Sequence, residues 1–272
     1  MDHLIYIIPL FFLTALVYSS VGFGGGSTYL ALLVLFSVPY GSMPKVALVC
    51  NLVVVTGGLY HYIRNRQLSL KSALPFAVTS VPMAYLGGKM PVDKTLFLIL
   101  LGISLLCAGL RLLFVKRFDG SMVRSFDGFD PNYRTIALSH YRTIPLPIGA
   151  LLGFLAGVTG IGGGIFLAPI LYFLRWGNAR QIAAMASFFI FVNSAAGLMG
   201  QFSKDWTIDV GASANISWRT PLQGILILIL AVFAGGQIGT RLSFGKLSPV
   251  YLQRITAVLI LSVTAKIFWG FL

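Results

Sequence analysis

Gly22-Phe23-Gly24-Gly25-Gly26-Ser27 and Gly160-Ile161-Gly162-Gly163-Gly164-Ile165 are two versions of one glycine cluster, each set between apolar stretches. In both, four glycines fall within five positions. Glycine has no Cβ and loses the most backbone entropy on ordering, so such a cluster cannot propagate a good helix and marks a break. A break within apolar sequence leaves N–H and C=O groups without intrahelical partners. In a membrane these are tolerated only where protein or a water-filled cavity surrounds them. The two clusters are therefore the places to look for a site.

The remainder of the chain defines what the clusters interrupt. Of its 272 residues 57% are hydrophobic and only 10% charged, with a mean hydropathy of +0.88, whereas soluble domains carry about a quarter charged residues. Apolar stretches run 4–20, 46–62, 73–88, 95–114, 146–159, 182–201, 222–240 and 251–272. Most approach the roughly 20 residues that span a bilayer. The sequence predicts an all-α polytopic protein of the cell (inner) membrane, in contact with the lipid bilayer. No Lys or Arg precedes the first apolar run, unlike a cleaved secretory signal, so that run is expected to be a helix of the mature protein. The net charge of +13 sits in short loops, where the positive-inside rule accounts for it, and no nucleic-acid partner is expected. Cys50 and Cys107 lie inside apolar spans without metal-ligand spacing, and no metal or cofactor is expected.

Aligning the clusters also brings the downstream residues into register, once the first loop of the second copy is shortened by two residues. Lys45-Val46-Ala47-Leu48 then faces Gln181-Ile182-Ala183-Ala184, Asn51 faces Ser187, and Gly57-Gly58 faces Asn193-Ser194. Gly87-Gly88-Lys89 resembles Gly239-Thr240-Arg241. The chain reads as a first repeat over residues 1–114, a cytoplasmic connector over 115–144 and a second repeat over 145–272. Arg64, Arg66 and Lys71 stand without an acid in one loop, while its counterpart, 204–219, balances its cations with acids. The next pair of loops reverses the comparison, since Lys89, Asp93 and Lys94 nearly cancel while Arg241 and Lys246 do not. Equivalent loops are thus expected on opposite faces, the signature of inverted-topology repeats. Both termini are then expected outside.

The apolar segments on the C-terminal side of the clusters, Ser27 to Val38 and Ile165 to Leu174, are short. At about 1.5 Å per residue they cover about half of a ~30 Å hydrocarbon core. Each is expected to be the returning half of a re-entrant hairpin, with three further transmembrane helices in its repeat and its tip near the midplane. A half-helix that starts at glycine presents free N–H groups and the positive end of its dipole, with no Cβ to block a small anion. The candidate substrate-binding residues are Gly24, Gly25, Gly26, Ser27 and Thr28 at one tip and Thr159, Gly162, Gly163 and Gly164 at the other. Asn51, Ser187 and Asn193 join them from the next spans. Small-residue helix packing for the glycines and interhelical hydrogen bonding for Asn51, Ser187 and Asn193 are the structural alternatives. Lys89 and Arg241, near span ends, are candidates for anion steering or for snorkelling to headgroups. Bulky replacements at Gly25 or Gly163 are expected to abolish transport and leave the fold intact.

The acids narrow the class further. There is no glutamate, and all seven acidic residues are aspartates in loops or at the amino terminus. Cation-coupled carriers usually hold a carboxylate within the membrane, so the sequence favours an anion over a cation. No paired intramembrane aspartates and no Gly-x-Ser-Gly motif with a membrane histidine are present, which argues against an intramembrane enzyme.

The duplicated glycine turns, each followed by a short apolar stretch with a proline (Pro39, Pro169), resemble the TauE/SafE sulfite exporter family. The helix starts Val46-Ala47-Leu48 and Ile182-Ala183-Ala184 fit that resemblance, which covers the chain except for the connector. It implies export of a small inorganic or organic sulfur oxyanion, sulfite or an organosulfonate such as sulfoacetate. An anion channel, or an uptake carrier for another small anion such as thiosulfate, would share the same sequence features.

Overall fold

The computed structural model describes residues 2–20, 22–114, 145–174, 176, 179–204, 221–243 and 250–269. The connector, the loop over 205–219 and Lys246 lie outside these residues. The described residues form ten helices: α1 (Asp2–Ser20), α2 (Gly26–Leu35), α3 (Met43–Arg64), α4 (Leu70–Lys89), α5 (Lys94–Phe114), α6 (Pro145–Thr159), α7 (Gly164–Phe173), α8 (Ala179–Lys204), α9 (Pro221–Ser243) and α10 (Val250–Trp269). Three of them, α3, α8 and α9, contain stretches both long and apolar enough to cross a membrane.

Backbone chemistry explains the breaks. Gly22 takes φ +77°; its N–H donates to the Ser19 carbonyl at 3.1 Å, and the Phe23 N–H reaches back to Tyr18 at 2.9 Å. This left-handed glycine cap satisfies the last carbonyls of α1. Gly160, at φ +85°, closes α6 by donating to the Ala156 carbonyl at 2.9 Å. The chain then restarts within four residues as α2 and α7. Each has ten residues, about 15 Å of helix. α2 ends in a second left-handed cap at Ser37, φ 56°, where the Val38 N–H meets the Leu33 carbonyl at 3.0 Å.

Packing crosses between the two halves of the chain. α4 lies along α6, α1 along α9, α5 against α10, and α3 against α8. Glycines make the closest contacts, because without a Cβ two backbones can approach. On α6, a Cβ at Gly149, Gly153 or Gly157 would run into the carbonyls of Phe76, Ser80 or Ala84 on α4. Gly235 and Gly239 of α9 meet the carbonyls of Phe12 and Leu16 on α1 in the same way. Polar side chains turn inward, with Asn51, Ser80, Asn193 and Ser194 fully buried, while Val78, Leu151, Met199 and Leu230 are more than half exposed. An apolar exterior around a partly polar interior is what a bilayer requires of a helical protein.

Candidate functional site

The two glycine turns lie against each other. A Cβ placed on Gly26 would be 2.5 Å from the Ile161 carbonyl oxygen of the other turn. Asn51 of α3 bridges them: its Nδ2 donates to the carbonyls of Gly160 at 3.4 Å and Ile161 at 3.2 Å. Its Oδ1 faces Gly24, where a Cβ would be 2.6 Å away. Ser187 of α8, the position that alignment of the repeats sets opposite Asn51, donates from Oγ to the Gly22 carbonyl at 2.5 Å. Each long helix thus braces the turn contributed by the other half of the chain. Helix geometry leaves the first N–H groups of α2 without acceptors one turn back, so this end of α2 carries positive partial charge.

Gly24, Gly26, Gly162 and Asn51 come together as one cluster, in which a Cβ on Gly162 would lie 2.9 Å from Asn51 Nδ2 and 3.1 Å from Ser194 Oγ. The other candidates make different contacts. Gly25 faces Thr14 and the Tyr29 ring, Gly163 faces Phe189, and Gly164 packs on Ile190. Thr28 Oγ1 donates to the Tyr18 hydroxyl at 2.8 Å, and Ser27 Oγ lies 3.4 Å from the same group. Thr159 Oγ1 donates to the Leu155 carbonyl at 2.7 Å and accepts from the Ile161 N–H at 3.4 Å. Asn193 Nδ2 donates to the Phe189 carbonyl at 2.8 Å. Lys89 and Arg241 are exposed at the ends of α4 and α9.

Two buried polar atoms of this cluster, Asn51 Oδ1 and Ser194 Oγ, have no hydrogen-bond partner among the described residues, and neither does Asn193 Oδ1 on the residue before Ser194. Such atoms cost free energy unless something else meets them. Ser194 is the group that sequence reasoning did not single out. Its signal was its place opposite Gly58 in the repeat alignment, where a hydroxyl replaces a residue without a side chain.

Beside the second turn a cavity of about 430 Å³ opens among the α2–α3 connection, the α4–α5 connection and the end of α8. Lys45 and Lys204 line it, as do Tyr40, Asp93, Phe97 and Gln201. On the opposite side the first turn is covered: a Cβ on Gly22 would collide with the Tyr62 hydroxyl, and Tyr62, Ala183 and Ala184 pack together with Leu68.

Comparison with known proteins agrees with this architecture. The family described as Sulfite exporter TauE/SafE matches residues 7–267. Probable membrane transporter protein y4hK of Sinorhizobium fredii is 29% identical over 259 residues, covering 95% of this chain and 96% of its own. Probable membrane transporter protein YunE of Bacillus subtilis is 24% identical over 89% of this chain and 90% of its own. YjnA of the same organism, also named a probable membrane transporter protein, is 26% identical over 88% and 90%. No solved structure matches.

Proposed function

Since the chain belongs to the sulfite exporter TauE/SafE family, and is a multi-pass membrane transporter rather than an enzyme, we propose that it exports a small sulfur oxyanion, sulfite or an organosulfonate such as sulfoacetate, across the inner membrane. The anion is held between the two glycine turns near the bilayer midplane. The observation that carries this reading is the direct contact of the turns beside Ser194 Oγ, a buried hydroxyl with no hydrogen-bond partner among the described residues. Backbone N–H groups at the start of α2 attract the charge, and Ser194 Oγ is a side-chain donor beside the Gly162 turn. Glycine at these positions lets the two turns approach each other.

In this reading the two halves are inverted repeats, each with a re-entrant hairpin. Two pairs of equivalent contacts support it. Asn51 and Ser187 brace opposite turns, and Gly87 and Gly239 meet the carbonyls of Phe154 and Leu16, which the repeat alignment also pairs. The cavity on one side and the Tyr62 cover on the other favour a carrier that opens to one face at a time over a static pore. An anion leaving a negative-inside cell gains about 2.3 kcal/mol per charge per 100 mV, so export can run on the potential alone.

The test is flux from proteoliposomes under an imposed potential, comparing sulfite, sulfoacetate, thiosulfate and chloride. Saturable sulfite or sulfoacetate efflux that follows the potential is expected. Unselective chloride conductance would replace the carrier with a channel, and flux of none of the four would remove the substrate assignment.

A further inference from the structure

The cavity of about 430 Å³ neighbours the second glycine turn without being part of the glycine site. Val158 and Pro44 line it, and Pro44 Cα would stand 2.6 Å from a Cβ on Gly160. Pro44 therefore stands between the cavity and the second glycine turn. Gln201, also in its wall, donates from Nε2 to the Gly157 carbonyl at 2.9 Å and ties the floor to α8.

Its charges are not those that helix electrostatics would place there. Lys45 is 3% exposed and sits in the first turn of α3, at the positive end of the helix dipole, where a cation is disfavoured. The Phe202 ring, whose centroid is 5.9 Å from Nζ, gives the charge a weak cation–π contact. The equivalent position in the other repeat is Gln181, so this packing position does not demand a cation. Lys204 closes α8 and donates from Nζ to the Met90 carbonyl at 2.9 Å. Its dipole end favours a cation, so this lysine alone would need no further account. The acid of the wall, Asp93, is engaged in capping α5: Oδ2 accepts from the N–H groups of Thr95 at 3.1 Å and Leu96 at 3.3 Å. Two lysines on one small cavity repel each other, and an anion between them relieves that repulsion.

We propose that this cavity is a second anion site, an antechamber in which Lys45 and Lys204 hold a sulfur oxyanion beside the Gly160 turn as it passes between the central site and the face bearing the α2–α3 connection. The choice of a sulfur oxyanion rests on the transport reading above; the anion preference of the cavity rests on its own lysines. The aromatic side of the wall, where the Tyr40 and Phe97 rings lie 6.2 Å apart, accommodates the carbon part of an organosulfonate.

Gly41 also lines the cavity and faces open space, so Gly41→Cys provides a reporter in full-length protein carrying Cys107→Ser to remove the exposed thiol. In phosphatidylcholine liposomes, an anionic methanethiosulfonate reagent should modify this cysteine on the order of tenfold faster than a cationic one. That ratio should fall towards one in Lys45→Gln/Lys204→Gln and be retained in Lys45→Arg. Sulfoacetate should slow the labelling. In flux assays either Gln variant should raise KM several-fold with the maximal rate retained. A ratio indifferent to loss of both lysines overturns the antechamber, as does protection by added phosphatidylglycerol but not by sulfoacetate, which would assign the lysines to a lipid headgroup. If the charge preference is present and depends on the lysines while no sulfur oxyanion is transported, the antechamber stands and the substrate reading falls. Transport with an indifferent ratio gives the reverse.

Discussion

Asn51 and Ser194 lie a few ångströms apart across Gly162, and they differ in hydrogen bonding, so the proposed site gives them different roles. Asn51 holds two backbone carbonyls of the opposite turn. Asn51→Ala should therefore lower stability by about 1–3 kcal/mol, the cost of leaving buried groups unpaired, and abolish transport; thermal unfolding in detergent alongside flux checks both. Ser194 Oγ holds nothing in the protein among the described residues, so Ser194→Ala should leave the unfolding temperature near wild type and reduce oxyanion flux several-fold. Unchanged flux would return Ser194 to a packing role. The glycine clusters themselves were legible in the sequence, but not the role of each glycine. Bulky residues at Gly25 and Gly163 are not the benign probes expected from sequence. A Cβ on Gly25 would stand 2.7 Å from Thr14 and Tyr29, and Gly163 has φ +76° with Phe189 2.9 Å from its would-be Cβ. Such substitutions strain the fold as well as the site.

Local sequence was informative about the short helices and much less so about the seams between helices. The half-helix expected to begin at Ser27 does so one residue earlier, at Gly26, and it stops at Leu35 rather than Val38 because Ser37 turns left-handed ahead of Pro39. The α4–α6 seam was not drawn from the sequence, although its glycines recur every four residues, at 149, 153 and 157. That spacing shows that one face of α6 is smooth and cannot say which helix occupies it. In the structure the Ser80 carbonyl sits where a Cβ on Gly153 would be. Gly153→Leu should force α4 and α6 apart and destabilise the protein by more than the about 1–3 kcal/mol of ordinary overpacking, because backbone must move. Loss of the monodisperse peak in size-exclusion chromatography checks this; a normal peak and unfolding temperature would mean that the seam is looser than described.

At the scale of the whole molecule, the two turns differ in what covers them. Gly160 borders an open cavity through Pro44 and Val158, whereas Gly22 lies under Tyr62, in a cluster with Ala183, Ala184 and Leu68. If the protein opens to one face at a time, Tyr62 closes the other face in this state. Tyr62→Ala should then add a leak: anion conductance that persists without saturation, measurable as chloride flux several-fold above wild type. Conductance equal to wild type would show that the closure lies elsewhere. The charge asymmetry of the loops carries a matching expectation, that both termini lie outside. Accessibility of terminal tags in intact cells against inverted vesicles tests it, and a terminus protected in intact cells would reverse the orientation.

Composition alone determined that this is a helical membrane protein, and the glycine clusters determined where two of its helices break, because hydropathy and backbone freedom are properties of short stretches of chain. The repeat alignment also put Asn51 and Ser187 in equivalent places. Only the tertiary structure decided that each of them reaches across to the turn of the other half, that Ser194 is left with a buried hydroxyl to offer, and that Lys45 and Lys204 share a cavity. The cross-turn hydrogen bonds and the shared cavity join groups more than 100 residues apart in the chain, and residues so distant in sequence leave no local pattern when packing brings them together.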